Sequence, residues 1–295
     1  MEGWRVEDRK NAPDSPAFQL PTFQPSNLLT ILVRGCGDVG SAVAHRLFRA
    51  GCAVVLHDTP QPTTTRRKMA FTDAIFDGSA FLAGVAAKRI DDLALLVGLL
   101  AAREVIPVVV VELPALLNTV QPDILIDARM RKHLQPEVQR GLAPLTVGLG
   151  PNFVAGETTD LAVETSWGDD LGRVCYRGAT RPLAGEPRSI AGHGRDRYVY
   201  APVTGRFHTT FQIGDPVGAG QGVARIGPST LVAPLTGVLR GLTRDGVSVG
   251  VGTKVIEVDP RGPAAVVAGI GERPGQIAEG VLRAMQGWVN ALGQK

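Results

Sequence analysis

The sequence predicts an α/β protein: a parallel-sheet domain, then a small α+β region, then an all-β unit near the C-terminus. In the first half, apolar β-branched runs without clean alternation are separated by helical segments, which is typical of strands covered on both faces. In the second half, a segment that begins at Ala201 recurs from Ala233, 32 positions later (233 − 201 = 32). The length of 295 residues, with 44% hydrophobic and 20% charged residues, suits about two globular domains.

The first elements predict a strand–helix–strand unit. Leu29–Val33 is a predicted strand, Gly35–Gly40 a turn, Ser41–Ala50 a helix stopped by Gly51, and Ala53–Leu56 the next strand. Further predicted elements are the strands Phe81–Ala86, Val105–Val111 and Ile124–Ile126 and the helix Asp91–Arg103. Together they predict a Rossmann-like domain over residues 28–128.

The turn after the first strand matches the G-x-G-x-x-G pattern of dinucleotide-binding proteins. Its glycines allow a tight turn, close approach of a pyrophosphate and close helix–strand packing. The predicted cofactor-binding residues here are Gly35, Cys36, Gly37, Asp38 and Gly40. Asp58 lies 18 positions after Gly40 (58 − 40 = 18), where an acid binds a ribose 2′-hydroxyl and favours NAD over NADP.

Four residues near this turn have two interpretations each. Asp38 either repels a phosphate or stabilises the first helical turn by its charge. Arg66 and Arg67 either bind a 2′-phosphate or another anionic partner, or form ordinary solvated surface. Cys36, near a helix N-terminus and Arg34, is either a reactive thiolate or a small residue that fills a tight turn.

Residues 129–197 predict a linker and a small α+β region, with a helical linker from Met130 to Pro144. A second glycine-rich turn, Gly148–Gly156, follows an apolar run. Its backbone amides, at Gly148, Gly150 and Asn152 in particular, are a candidate anion nest. The acids that follow either bind a cation, act as acid and base, or are surface residues; they are Asp160, Glu164, Asp169 and Asp170. No cysteine or histidine completes a metal-ligand set, so no metal site is predicted.

The repeated segment resembles the biotinyl/lipoyl domain, a barrel-sandwich hybrid, over residues 198–262. Each copy opens with Ala-Pro-x-x-Gly and closes on a β-branched run. The hairpin between the copies, Ile226–Leu231, contains no lysine, so neither covalent biotin nor covalent lipoate is expected. Residues 263–295 predict a C-terminal amphipathic helix over Gln276–Leu292, packed on its own domain or on a partner subunit.

Composition limits compartment and partners. The net charge of +3, with interspersed charges, does not indicate a nucleic-acid partner. No apolar run reaches the roughly 18 residues that a membrane span needs. Residues 1–27 predict a disordered arm without the apolar core of a signal peptide. Three cysteines provide no disulfide framework, which favours the cytoplasm.

Five short motifs follow one another in a particular order: VRGCGD at Val33–Asp38, GLGP at Gly148–Pro151, ET at Glu164–Thr165, DLGRV at Asp170–Val174 and DPRG at Asp259–Gly262. In this order, together with a repeat whose central hairpin lacks a lysine, they resemble the accessory proteins of selenium-dependent molybdenum hydroxylases, from Leu28 to Leu292. The sequence departs from that family at Cys36 and Asn152, where glycine is usual, and at Asp169, where histidine is usual. The resemblance therefore assigns no catalytic residue.

The resemblance implies a maturation factor that binds a nucleotide-type ligand, NAD(P) or another nucleotide, at Gly35–Gly40. Its implied partner is a molybdenum hydroxylase or the machinery that assembles its cofactor, and self-association is left open. The alternatives are a free-standing NAD(P)-dependent oxidoreductase and a nucleotide-sensing regulatory protein. The oxidoreductase needs an acid/base group opposite the nicotinamide, and the five histidines are scattered without an evident acidic partner.

Overall fold

The computed structural model describes residues 29–131, 134–182 and 187–293. The predicted arm at residues 1–27 lies outside them. The helices are α1 Asp38–Arg49, α2 Ala74–Asp77, α3 Leu96–Ala102, α4 Leu113–Val120 and α5 Glu272–Leu292. The strands are β1 Thr30–Arg34, β2 Ala53–His57, β3 Ser79–Leu82, β4 Val85–Arg89, β5 Ile106–Val109, β6 Ile124–Asp127, β7 Leu145–Leu149, β8 Val154–Ala155, β9 Leu161–Val163, β10 Val174–Cys175, β11 Gly178–Ala179, β12 Tyr198–Tyr200, β13 Gly205–His208, β14 Pro216–Val217, β15 Gly222–Ile226, β16 Ser229–Val232, β17 Gly237–Leu242, β18 Ser248–Val249 and β19 Lys254–Asp259.

The first unit is built on a nine-stranded mixed sheet of order β10-β9-β7-β6-β1-β2-β5-β4-β3. The seven strands from β9 to β4 are parallel, and the outer strands β10 and β3 are antiparallel to their neighbours. Apolar clusters cover both faces, which explains why these strands lack alternation. β1 has β2 on one side and the later strand β6 on the other. The order in which the chain adds strands to the sheet therefore reverses at β1.

The second unit consists of two four-stranded sheets, β12-β19-β17-β14 and β16-β15-β13-β18. All of their pairings are antiparallel. Strands of the first repeat pair with strands of the second: β13 with β18, and β14 with β17. One shared apolar cluster fills the unit.

The α/β class is right, but the predicted arrangement is wrong. A Rossmann-like parallel domain, a separate small α+β region and a barrel-sandwich hybrid were expected. Instead, β7, β9 and β10 extend the first sheet, which is mixed because hairpins add an antiparallel strand at each edge. The repeated segments form two four-stranded sheets beside it. The cause is burial: β7 is apolar enough to be covered on both faces, so it pairs with β6 rather than starting a new layer.

Several predicted elements also change. Phe81–Ala86 is not one strand, because Ala83 and Gly84 adopt φ of 44° and 84° and form a hairpin turn. The helix predicted over Asp91–Arg103 is shorter in the structure, where α3 spans Leu96–Ala102. Helix α4 was not predicted, because Pro114 suggested a connecting loop. Pro114 instead occupies the first turn, where its missing N–H costs nothing. In the described part of residues 130–144 there is no helix.

The C-terminal helix was predicted correctly and begins four residues earlier, at Glu272. It packs along α1, with Arg46 Nε 2.5 Å from Glu279 Oε1. The segment after β2 joins the two units: Leu242 N–H donates to the Thr65 carbonyl at 2.8 Å, and Arg67 Nε donates to the Leu242 carbonyl at 3.0 Å. Among the described residues, no helix combines the length and the apolar character needed to cross a bilayer.

Candidate anion-binding site at the glycine-rich turn

Two glycines of the Gly35–Gly40 turn are required by close packing. Gly35 has φ +107°, and a Cβ there would lie 2.9 Å from the carbonyl carbon and oxygen of Ala128. A Cβ on Gly40 would lie 1.9 Å from the Gly35 carbonyl oxygen. The turn therefore brings the start of α1 closer to β1 and the end of β6 than any side chain permits.

Gly37 differs, because it faces open space. Its φ of −69° suits any residue, and the nearest atom to a Cβ there is Thr64 Oγ1 at 3.9 Å. Gly37 and Asp38 are partly exposed, and the amides of Gly37, Asp38 and Gly40 donate no hydrogen bond within the described residues. The open end of α1 thus offers free N–H donors and the positive end of the helix dipole, the arrangement that binds anions.

Asp58 lies beside the turn, as the spacing predicted, and one of its oxygens holds the turn in place. Cys36 N–H donates to Asp58 Oδ2 at 2.6 Å, and Thr59 N–H donates to Oδ1 at 2.8 Å. Each carboxylate oxygen accepts two hydrogen bonds, so one acceptor position remains on each for a hydroxyl of a ligand. Asp58 can therefore both shape the turn and bind a ribose.

Cys36 contributes its backbone rather than its thiol. The side chain is fully buried, and burial followed by the charge of Asp58 raises the pKa of the thiol well above its ordinary value. The structural interpretation of Cys36 is therefore favoured over the reactive thiolate.

Asp38 forms an ion pair with Arg66, which argues against the interpretation that its charge repels a phosphate. Its Oδ2 lies 3.0 Å from Arg66 Nη1. Burial opposes its ionisation, but Arg66, Lys254 and Arg273 outweigh burial and lower the pKa of Asp38. Arg66 is thus part of the site's electrostatics, whereas Arg67 binds Asp73 and joins the two units.

The second glycine-rich turn lies at the same edge of the sheet. The register pairs Arg34 with Asp127, and Asp127 with Gly148, so the two turns leave strands that are two positions apart, about 10 Å. The Phe153 ring covers Gly148, where a Cβ would lie 2.2 Å from it, and Gly150 packs on Met130. Asn152 adopts φ +72° and donates from Nδ2 to the Leu134 carbonyl at 3.3 Å. These contacts with neighbouring residues account for the conformation of the second turn. Its role as an anion nest stays a prediction.

The acids after the second turn bind their own loops. Buried Glu164 accepts the N–H groups of Thr165 and Ser166 at 2.7 Å and that of Arg181 at 2.8 Å. Asp160 accepts from Thr146 and Arg140, Asp170 pairs with Arg173 and Arg181, and Asp169 is exposed. Within the described ranges, no group of three or more His, Cys, Asp or Glu residues is arranged to hold a metal ion.

The sequence interpretation missed a charged network at the carboxyl ends of β1 and β6. Buried Arg34 donates to Gln139 Oε1 at 2.8 Å and to Glu137 Oε1 at 3.2 Å, while Arg129 pairs with Asp127. Arg34 Nε has no acceptor among the described residues. The available signal was Arg34 and Asp127 at the ends of two apolar strands, where parallel sheets bring side chains together.

The sequence interpretation also missed two histidine–aspartate pairs. His193 Nδ1 lies 2.5 Å from Asp196 Oδ2, and His208 Nδ1 lies 3.3 Å from Asp245 Oδ1. Both histidines lie in the second unit or the segment leading to it, not on the strands that carry the glycine-rich turns.

Comparison with known proteins adds a relative of unassigned role. The chain is 35% identical over 280 residues to the uncharacterized protein YqeB of Escherichia coli, covering 95% of this chain and 51% of YqeB. The chain thus spans about half the length of this curated relative. No protein-family model matches the chain.

The solved structures with some likeness are distant. The ectoine utilization protein EutE (DoeB) of Ruegeria pomeroyi is 13% identical, with a TM-score of 0.23, over 78% of this chain and 84% of that one. A succinylglutamate desuccinylase from a Silicibacter species has the same identity, TM-score and coverage. TM-scores at this level support no inference about this chain.

Proposed function

We propose that this protein binds a phosphate-bearing, nucleotide-type ligand at the Gly35–Gly40 turn and acts as an accessory factor in the maturation of a selenium-dependent molybdenum hydroxylase. The observation that carries the binding proposal is the open N-terminus of α1. Gly37 and Asp38 are partly exposed, their amides lack acceptors within the described residues, and a Cβ at Gly37 would meet no atom closer than Thr64 Oγ1 at 3.9 Å.

The position of the turn in the sheet supports this proposal. In open α/β sheets, ligands bind outside the carboxyl ends of the strands where the strand order reverses. Gly35 follows β1 at that reversal, and Asp58 follows the neighbouring strand β2. A phosphate at the Gly37 amide and a ribose hydroxyl at Asp58 fit the donors and acceptors available there.

The maturation role rests on the ordered motifs and on the repeat whose central hairpin lacks a lysine, which resemble the accessory proteins of molybdenum hydroxylases. Such a factor needs a ligand site and a surface for its client enzyme.

A single substitution separates ligand binding from folding. Gly37→Val adds a side chain into open space at an ordinary φ, so it should block a phosphate without strain. Gly218→Val is the matched control, because a Cβ at Gly218 meets nothing within 4 Å and the φ of Gly218 lies outside the left-handed region. Thermal unfolding is measured with NAD, NADP and CTP for wild type and both variants.

We expect at least one nucleotide to stabilise wild type and Gly218→Val, by about 2.7 kcal/mol at 100 times its dissociation constant, and not Gly37→Val. If a nucleotide stabilised Gly37→Val as much as wild type, the ligand would bind elsewhere than at the turn. No effect of any nucleotide on wild type would contradict the binding proposal. Turnover of a reduced nicotinamide cofactor would favour an oxidoreductase instead.

A further inference from the structure

Four cations from four segments of the chain surround a single buried carboxylate in the second unit. Glu257 Oε1 accepts from Arg66 Nη2 at 3.0 Å, from Arg240 Nη1 at 2.9 Å and from Arg197 Nη1 at 3.2 Å. Its Oε2 accepts from Arg66 Nε and from Lys254 Nζ, both at 3.0 Å. Glu257 itself is fully buried.

Positive charge exceeds negative charge in this cluster. Arg66 also reaches Asp38 at 3.0 Å, which makes Asp38 the second acid of the group. Asp259 is committed to Arg261, at 2.7 Å, and Arg240 Nε approaches it only to 3.9 Å. The remaining cations outnumber the two acids.

Arg273, in the first turn of α5, adds a fifth cation. Its Nε donates to the Thr165 carbonyl at 2.7 Å, and its guanidinium lies close enough to Asp38 and Arg66 for their charges to affect its pKa. Burial lowers that pKa, and repulsion from Arg66 adds to the lowering; attraction to Asp38 and to buried Glu164 opposes it without cancelling it. Burial also lowers the pKa of Lys254, against the opposing effect of Glu257. Buried cations that lack an equal negative charge nearby raise the free energy of the folded protein, and a bound anion lowers it.

Two of these cations keep donors for a ligand. Lys254 has three N–H groups and donates one of them to Glu257, with 29% of its side chain exposed. The terminal nitrogens of Arg273 donate no hydrogen bond within the described part of the chain. Lys254 and Arg66 donate to the same oxygen of Glu257, and Arg66 also reaches Asp38, the first residue of α1, so Lys254 lies near the open helix end.

We propose that Lys254 and Arg273 bind a second phosphate of the ligand, so that the site recognises a diphosphate whose first phosphate lies at the Gly37 and Asp38 amides. This inference rests on the proposed function, because it takes the glycine-rich turn as the place of the first phosphate. The proposed site includes the junction between the two units. Such a site would bind dinucleotides and nucleoside diphosphates more tightly than monophosphates.

The test compares inorganic phosphate with inorganic pyrophosphate by calorimetric titration of the full chain. The variants are Lys254→Gln, Arg273→Gln and Lys254→Arg, with Arg225→Gln as the control, an exposed cation on β15 of the second unit. We expect wild type and Arg225→Gln to bind pyrophosphate at least tenfold more tightly than phosphate. Lys254→Gln and Arg273→Gln should each lose most of the preference for pyrophosphate and keep their affinity for phosphate. Lys254→Arg should retain the preference for pyrophosphate.

Failure of this inference is distinguishable from failure of the proposed function. Equal affinities of wild type for phosphate and pyrophosphate, or an unchanged preference in both neutral variants, would overturn the second phosphate site while leaving the turn intact. Loss of nucleotide binding only in Gly37→Val would still support the turn. No binding of either anion or of any nucleotide to wild type would overturn both.

Discussion

At the scale of single residues, Glu257 shows how a charge in an apolar strand can organise a junction between two units. It lies between Ile256 and Val258 on β19, fully buried, and it is bonded to Arg66 of the first unit as well as to cations of its own unit. Removing a buried charge from such a cluster is destabilising, because the charges that remain are buried without compensation. Its removal would leave the cations to repel one another.

Glu257→Gln is therefore expected to lower the free energy of unfolding by about 3–5 kcal/mol at neutral pH. Burial alone would raise the pKa of Glu257, but Lys254, Arg66 and Arg240 together lower it well below 4.5. A lowered folded-state pKa contributes stability that is present above pH 4.5 and is lost as the pH falls below it.

The difference between wild type and Glu257→Gln should accordingly shrink progressively below about pH 4.5, which urea unfolding at a series of pH values would measure. Glu104→Gln, at an exposed position, serves as the control and should change stability by less than about 0.5 kcal/mol. A difference independent of pH would show that the Glu257 charge does not hold the junction.

At the scale of elements, the fit of α5 against the first unit depends on close backbone contact between Gly280 and the Gly172 loop. A Cβ on Gly280 would lie 2.3 Å from the Gly172 carbonyl oxygen, so the helix could not keep its position with any side chain there. Gly287, two turns later, is less crowded, since its Cβ would meet only Tyr176 Oη at 3.5 Å. The sequence pattern identified the apolar face of α5 but not this contact, because the Gly172 loop approaches only in the folded chain.

Gly280→Ala is expected to destabilise the protein by about 1–3 kcal/mol, because the backbone must move to relieve the clash. Gly287→Ala is expected to stabilise it by about 0.5–1 kcal/mol, because alanine costs less entropy in a helix. Denaturant unfolding of both variants checks the opposite signs. Similar effects at both positions would contradict the close packing of α5 on the Gly172 loop.

At the scale of the whole molecule, the two units share the candidate ligand site. The turn and Asp58 belong to the first unit, Lys254 and Glu257 to the second, and Arg273 to the helix that follows the second unit and packs back on the first. A ligand bound at the junction would therefore stabilise the arrangement of the units, which is how an accessory factor could present one surface to a client only when loaded.

The proposed maturation role predicts a physical and functional link to a molybdenum hydroxylase. An affinity-tagged chain expressed in its own cells should recover a hydroxylase subunit or its cofactor-assembly proteins, and deletion of the gene should lower hydroxylase activity. Wild type and Gly218→Val should restore that activity, and Gly37→Val should not. Full hydroxylase activity in the deletion strain, together with failure to recover the enzyme, would contradict the role.

The sequence by itself determined the features that depend on local chemistry. The apolar runs defined β1 and β2, the glycine pattern located the turn and predicted Asp58 beside it, and the amphipathic stripe defined α5. Only the tertiary structure decided that β7 and β9 join the first sheet and that hairpins make this sheet mixed. It also decided that Arg66, Lys254 and Arg273 gather around Asp38 and Glu257. The reason is physical: the charges of that cluster are up to 235 positions apart in the chain (273 − 38 = 235), and no local pattern encodes which distant surface will bury them together.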